Sequence, residues 1–325
     1  MSEYGNFIRR ADLIKNLVDR KNLAEQTKKP NRTIQEANRQ RWLQYQEIQR
    51  MSLTAKIAAA NASGGTSVDV DAQAFITAAA ITDATQQSAI DTLVTGLKTD
   101  GIWTKMKAIY PFVGGTATSH KFNLKNPLDT DAAFRLVFNG GWSHSSTGAL
   151  PNGTNAYADT KLNPLSILTL YSNHISYYSR TNNNAGVDFD MGVGTQLGNM
   201  ANSLFIRRSS NTAGYDSGNV TGNNRITFSN TNSLGFYNGS ITANNSRKFY
   251  KNGVSQISNT TVLTQDNPSA NIFIGAYNEY NVAGASYFGS KQCAFSTIGN
   301  GLTDTEASKL YTRVQAFQTT LSRQV

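Results

Sequence analysis

Between Trp103 and about Ile298 the chain is interrupted too often for helices. FRLVF (134–138), VDFDMG (187–192), SLFIRR (203–208), RITFS (225–229), RKFYKNG (247–253), NIFIGAY (271–277) and KQCAFSTIG (291–299) follow at short intervals, separated by Asn, Gly and Ser. Inside them apolar residues alternate: Phe134, Leu136 and Phe138; Val187, Phe189 and Met191 against Asp188 and Asp190; Phe122 and Leu124 in HKFNLK. A period of two is that of a strand with one face buried. About ten such strands, with turn signals every ~8–20 residues, fit an antiparallel sandwich or jelly roll. No helical pattern lies between them, which excludes a parallel α/β sheet. Asn252-Gly253 suits a type I′ hairpin turn, whose two central residues both need positive φ.

The flanks are helical. Residues 1–62 contain one Pro and one Gly. Ile8, Leu13, Ile14, Leu17, Val18 and Leu23 mark an apolar stripe, KKPNRT (28–33) a break, and a second helix then runs from about Thr33 to Ala60. Its heptad positions include Ile34, Arg41, Ile48 and Met51. That partial seam suits a dimer or trimer, the trimer favoured, with Arg41 weakening association while fixing register. Residues 63–72 read as a polar linker, and 73–325 as the β domain with two attached helices. Thr82-Asp83 open one near 83–98, with Ala89, Ile90, Leu93, Val94 and Leu97 inward. Thr303 and Glu306 form a capping box for the other, near 303–321, which should dock beside the first.

Composition removes several classes of function. One cysteine, Cys293, excludes an intramolecular disulfide framework and a Cys-clustered zinc site, and three histidines argue against a His-based one. No metal or other cofactor is expected. No apolar run reaches the ~18 residues of a membrane span, and MSEYGNFIRR lacks a signal-peptide core. The +9 charge is uneven: residues 1–56 hold twelve Lys/Arg against six Asp/Glu. A nucleic-acid arm is the sharp reading of that segment. Its acids are interspersed and no nucleic-acid motif accompanies them, so a solvated helix face fits better.

FITAAAITDATQQSAIDTLVTGLKTDGIWTKMKAIYPFVGG, KFNLKNPLDTDAAFRLVFNGGWSHSSTGALPNGTNAYADT and the closing GLTDTEASKLYTRVQAFQTTL resemble a recurring family of tailed-phage virion structural proteins. The resemblance covers about residues 73–325 and implies a concanavalin A-like, laminin-G-type jelly roll. Residues 1–62 do not share it, as befits an interchangeable attachment segment. It carries no catalytic motif.

Enzymatic chemistry finds little support in the residues. Retaining glucanases of jelly-roll type need Glu-x-Asp-x-x-Glu on one strand, and no such string occurs. Asp188 and Asp190 face the same way and could be an acid pair or half a calcium site, but the solvent face of an amphipathic strand is the simpler account. Ser143-His144-Ser145 and His120 lack a nucleophile elbow and an orienting acid, and read as polar turn residues. Cys293 shares a face with Phe295 and reads as core. GGTAT (114–118) and GNGL (299–302) are glycine turns without a phosphate-binding context. Glycan binding needs only an exposed aromatic with amides and carboxylates around it. Trp142, in a Gly/Ser/Asn-rich string, with Tyr157 and Asp159 nearby, forms the candidate contact, against the alternative of a tryptophan closing a strand end. The expectation is a non-enzymatic virion protein, attached to other virion proteins through residues 1–62, with a projecting jelly roll that contacts host-surface glycans. A jelly-roll carbohydrate-active enzyme and an interior connector are the alternatives.

Overall fold

A computed structural model describes residues 67–325, apart from 185, 196–199, 219–224, 264–265 and 281–283. The chain divides into compact units at Ser67/Val68, and the second is the one described. The helices expected in the N-terminal segment and the expected seam of Ile34, Arg41, Ile48 and Met51 fall outside the described residues.

Two mainly antiparallel sheets make a jelly-roll sandwich. The first holds β3 (Trp142–Ser145), β4 (Gly148–Pro151), β17 (Cys293–Gly299), β6 (Asn173–Ser179), β11 (Gly235–Ala243), β12 (Ser246–Lys251) and β13 (Val254–Asn259) in that order, with β1 (Met106–Tyr110) beside β17. The second runs β2 (Val137–Asn139), β5 (Tyr157–Asp159), β14 (Phe273–Ile274), β7 (Met191–Gly194), β8 (Ala201–Phe205), β9 (Thr212–Gly218) and β10 (Arg225–Ser229). A short pair, β15 (Tyr277–Glu279) and β16 (Gly284–Ser286), attaches to β7. Tyr177, Tyr237, Ile175 and Phe249 of the first sheet meet Met191, Val193, Leu204, Tyr215 and Ile274 of the second in one buried core.

Helices cover the other face of the first sheet. α1 (Val70–Ala78) and α2 (Ala84–Thr99) pack with α5 (Asp304–Thr320) over Ile109, Tyr178, Phe236 and Phe295. Between α2 and α5, α3 (Ala117–His120) and α4 (Pro164–Ile167) are single turns. α5 starts on the expected capping box and buries Ala307, Leu310, Val314 and Phe317. It lies beside α2, where Arg313 pairs with Asp100 at 2.7 Å. Just past α5, Arg323 is buried and donates to the carbonyls of Pro111, Phe112 and Ala294, fixing the chain end to the sheet. Asn252 (φ 52°) and Gly253 (φ 75°) make the expected turn between β12 and β13.

Several expectations are corrected. The linker assigned to 63–72 contains the start of α1, so the β domain begins at Val68 rather than 73. α1 is only 9 residues long, too short for a periodic signature, and it is held by partners distant in sequence. Its cap Asp69 accepts from Asp71 N and pairs with Lys98 of α2. FRLVF is not a strand throughout, since Phe134 is left-handed at φ 59° and pairing starts at Val137. In VDFDMG the strand begins only at Met191.

Candidate functional site

Among the described residues no helix covers the outer face of the second sheet; Phe273, Ser203 and Asp216 on it are nevertheless buried, Asp159 is half-buried and Arg225 exposed. Register fixes one row across it: Val137, Asp159, Phe273, Gly192, Ser203, Asp216 and Arg225 are successive cross-strand partners. Their in-between neighbours, such as Met191, Leu204 and Tyr215, point into the core. The alternation that buries one set therefore presents hydroxyl, carboxylate, guanidinium and aromatic groups on the other side.

At the β5 end, Tyr157 is half-buried and stacks on Phe273, with ring centroids 4.6 Å apart. Its hydroxyl makes no hydrogen bond among the described residues. Asp159 lies two residues on, on the same face. It accepts from Lys161 N at 2.8 Å, pairs with Lys161 Nζ at 3.0 Å and accepts from Asn271 Nδ2 at 3.4 Å. An aromatic face, a carboxylate, an ammonium and an amide thus converge within one turn of chain and its neighbour. Trp142 is on the other sheet. It is half-buried, donates from Nε1 to the Asn139 carbonyl at 3.0 Å, and lies against Phe138, His144 and the backbone at Gly275. Because Asn139 pairs with Tyr157, Trp142 fastens the corner behind the Tyr157 face instead of sharing it.

In the middle and at the β10 end lie groups that the sequence pattern did not single out. Phe189 stacks on Tyr277 at 4.5 Å and meets Phe205 edge-on at 5.7 Å. Tyr287, 45% exposed, abuts Phe189 at 5.9 Å. Arg208 lies over the Phe205 and Phe189 rings, and Arg225 forms a two-point pair with Asp216 at 2.7 and 2.9 Å. Only the spacing Arg207-Arg208…Arg225 around Phe205 signalled this, and it becomes visible once the strand register is known.

Asp188 and Asp190 do not face solvent. Both are buried, and Lys291, also buried, reaches them at 2.7 and 3.4 Å. The second oxygen of Asp190 accepts from Ile206 N. Alternation could not show this because the compensating cation stands a hundred residues away. Desolvation, reinforced by Asp190, pushes the Asp188 carboxyl up to about 6 despite the lysine. A lysine at the centre makes this an ion triad, not half a calcium site. Among the described residues no group of three His, Cys, Asp or Glu could hold a metal ion.

The histidines are not polar turn residues. His120 and His144 touch through their Nδ1 atoms at 2.9 Å. Burial, then His144 and Arg323, pulls His120 down to about 3, and burial lowers His144, so this pair is neutral at pH 7. Cys293 is buried with its thiol pushed well up by desolvation, as befits core. A cleft of about 210 Å³ lies beside the start of α5, lined by Ser240, Thr242, Ser246, Lys248, Tyr250 and Asp304. Its charges are already paired, Lys248 with Asp304 at 2.6 Å and Tyr250 donating to Asp304 at 2.7 Å. Among the described residues no helix is long and apolar enough to cross a membrane.

No protein-family model matches the chain, and no curated protein matches it. Solved structures do match. Domain 4 of AbnA, an extracellular arabinanase of Geobacillus stearothermophilus, in complex with arabinotriose, is 17% identical, with TM-score 0.39 over 63% of this chain and 98% of that one. The botulinum neurotoxin serotype D binding domain is 11% identical, with TM-score 0.41 over 64% of this chain and 52% of that one. Ruminococcus gnavus IT-sialidase CBM40 is 16% identical, with TM-score 0.33 over 43% of this chain and 82% of that one. The chain thus spans about half the length of the toxin domain it matches.

Proposed function

We propose that the protein is a non-enzymatic structural component of a tailed-phage virion, whose jelly roll binds a host-surface glycan through the outer face of the second sheet. The observation that carries the binding reading is the Tyr157 ring. It is backed by Phe273, has a hydroxyl that makes no hydrogen bond among the described residues, and is flanked by Asp159, Lys161 and Asn271. A preformed aromatic face with convergent polar groups binds a sugar without moving, so little ordering entropy opposes the contact. The phage setting is supported by the sequence strings quoted above. In this reading residues 1–62 join the particle and self-associate, with a trimer favoured.

Hydrolysis would require a raised-pKa acid and an ionised carboxylate, both open to water and substrate. Asp188 has the first property, but it is buried against Lys291 with Asp190. The test is isothermal titration of the full chain with capsular and lipopolysaccharide fractions of the host, with reducing-end release assayed in parallel. Binding without release is expected. Tyr157→Ala should weaken it about tenfold, which is about 1.4 kcal/mol. Sugar release that Asp188→Asn abolishes would instead establish an enzyme. A chain beginning at Ser67 should fold and fail to enter particles, and its normal incorporation would overturn the anchoring role.

A further inference from the structure

We propose that Arg208 and Arg225, on the Phe205 ring, form a subsite for the carboxylate of an acidic sugar, and this rests on the glycan reading of the same face. The ring is the base of the site. Phe205 closes β8, is buried, and its ring tip abuts β9 at Gly214, where a Cβ would come within 2.1 Å of Cζ. The Arg208 guanidinium carbon is 3.7 Å from the Phe205 centroid and 4.2 Å from that of Phe189, so the cation sits between two rings. Arg225 approaches the Phe205 ring at 5.3 Å.

Two guanidinium groups share this ring with one directly paired carboxylate. Asp216 takes Nε and Nη2 of Arg225. Arg208 has no ion-pair partner among the described residues. Its Nε donates to the Asp188 carbonyl at 3.0 Å, and its Nη2 is buried without a partner. Ring faces replace only part of the hydration that a guanidinium loses, and a dehydrated ion without a directly paired counter-charge is costly. Burial, and then the like charge of Arg225, pulls Arg208 down to about 10 against the through-space pull of Asp216, Asp188 and Asp190, so it remains charged at neutral pH, with no carboxylate in direct contact among the described residues. Such a group is an anion site awaiting its anion.

Tyr287 supplies the surface for the sugar ring. It is 45% exposed, shares Phe189 with Arg208, and is held at φ 49°, a left-handed conformation that a tyrosine rarely adopts. Strain of this kind persists where neighbouring structure fixes a side chain for a purpose. A carboxylate on the guanidinium groups with its sugar ring against Tyr287 fits a uronic or similar acidic residue. β8 is three strands from β5, about 14 Å at ~4.8 Å per strand, so this subsite and the Tyr157 face would take different units of one polysaccharide.

The test uses the full chain and two probes that differ only at the acid, methyl glucuronide and methyl glucoside, titrated by NMR at millimolar concentration. Methyl glucuronide should bind at least tenfold more tightly, and the preference should shrink with added salt. Arg208→Gln should abolish the preference and Arg225→Gln should reduce it, each with an unchanged circular dichroism spectrum. Arg208→Lys should restore only part of it, because an ammonium lacks the planar fork. Equal binding of the two probes by the unaltered chain overturns this subsite and leaves the glycan reading standing. Retention of the full preference in folded Arg208→Gln also overturns it. If Arg208→Gln does not fold, the probe comparison on the unaltered chain and on Arg225→Gln still decides. Failure of both probes to bind overturns the subsite, while loss of host-polysaccharide binding as well is needed to overturn the wider reading.

Discussion

The outer faces of the two sheets obey the same alternation and end in opposite conditions. On the first sheet, Ile109, Tyr178, Phe236 and Phe295 meet Leu93, Leu97, Leu310, Val314 and Phe317, and every one of these residues is buried. On the second, the row from Asp159 to Arg225 carries carboxylates, a hydroxyl and guanidinium; Tyr157 and Tyr287 beside it stay partly open, while Phe189, Phe205 and Tyr277 are buried. Helix cover turns one face into core, worth about 25 cal/mol for each Å² of apolar surface removed from water. The uncovered face has to satisfy its polar groups laterally, through pairs such as Arg225–Asp216 and Lys161–Asp159. The proposed binding surface is therefore placed on the second.

The largest expected effect breaks the lateral pairing at its deepest point. Lys291→Met leaves Asp188 and Asp190 buried without a cation and should destabilise the β domain by about 3–5 kcal/mol in urea denaturation. Replacing all three, Asp188→Asn and Asp190→Asn with Lys291→Met, should recover most of the loss. A single lysine variant within ~1 kcal/mol of the parent would mean that the triad is hydrated, and with it the contrast between a dry interior and a laterally paired face would fail.

A pH series sharpens the same point. The Asp188 carboxyl is raised from 3.8 to about 6, chiefly by desolvation. The folded chain therefore holds this proton more tightly than the unfolded chain does. The stability it contributes is complete below the unfolded value and is lost as pH rises through about 6. Asp188→Asn should accordingly gain on the parent between pH 4 and 7, by at most about 3 kcal/mol. A constant difference across that range would show that Lys291 holds the carboxylate ionised throughout.

Trp142 and Tyr157 separate fastening from contact. Trp142→Ala should cost about 2 kcal/mol of stability, less than a fully buried tryptophan, because the ring is half-buried over the Asn139 corner. Glycan affinity of the folded variant should stay near that of the parent. Unchanged stability with lost affinity would return Trp142 to the contact surface and move the site to the edge of the first sheet.

The sandwich, the 84–99 and 304–320 helices and the hairpin at Asn252-Gly253 were legible because each rests on local chemistry: period, cap and turn residues. Tyr157 and Asp159 entered only as neighbours of Trp142 in a Gly/Ser/Asn-rich string, and it is β5 that sets the two on one face. What escaped depends on register and on distant partners. Asp188 and Asp190 followed the alternation of a solvent face, yet Lys291 drew them inward. Arg208 and Arg225 are ordinary charges until the pairing of β8, β9 and β10 places both on Phe205. α1 hid in a stretch of small and acidic residues because its stability comes from Lys98 and the sheet core, not from its own sequence.

The smallest effect tests the polar cleft beside α5. Lys248 and Asp304 are 2.6 Å apart, but their side chains are 32% and 62% exposed, so solvent screens the pair. The hydrogen bond from Lys248, then that from Tyr250, holds the Asp304 carboxyl below its usual value. Lys248→Ala should cost less than about 1 kcal/mol, fading further at high salt, because two exposed side chains lose freedom to make the contact and gain little in water. It should also leave glycan titrations unchanged, since the cleft lies on the helix-bearing side of the sandwich. Were Lys248→Ala to weaken glycan binding as Tyr157→Ala does, the helix-covered side would carry a contact of its own, and the division of labour between the two faces would have to be abandoned.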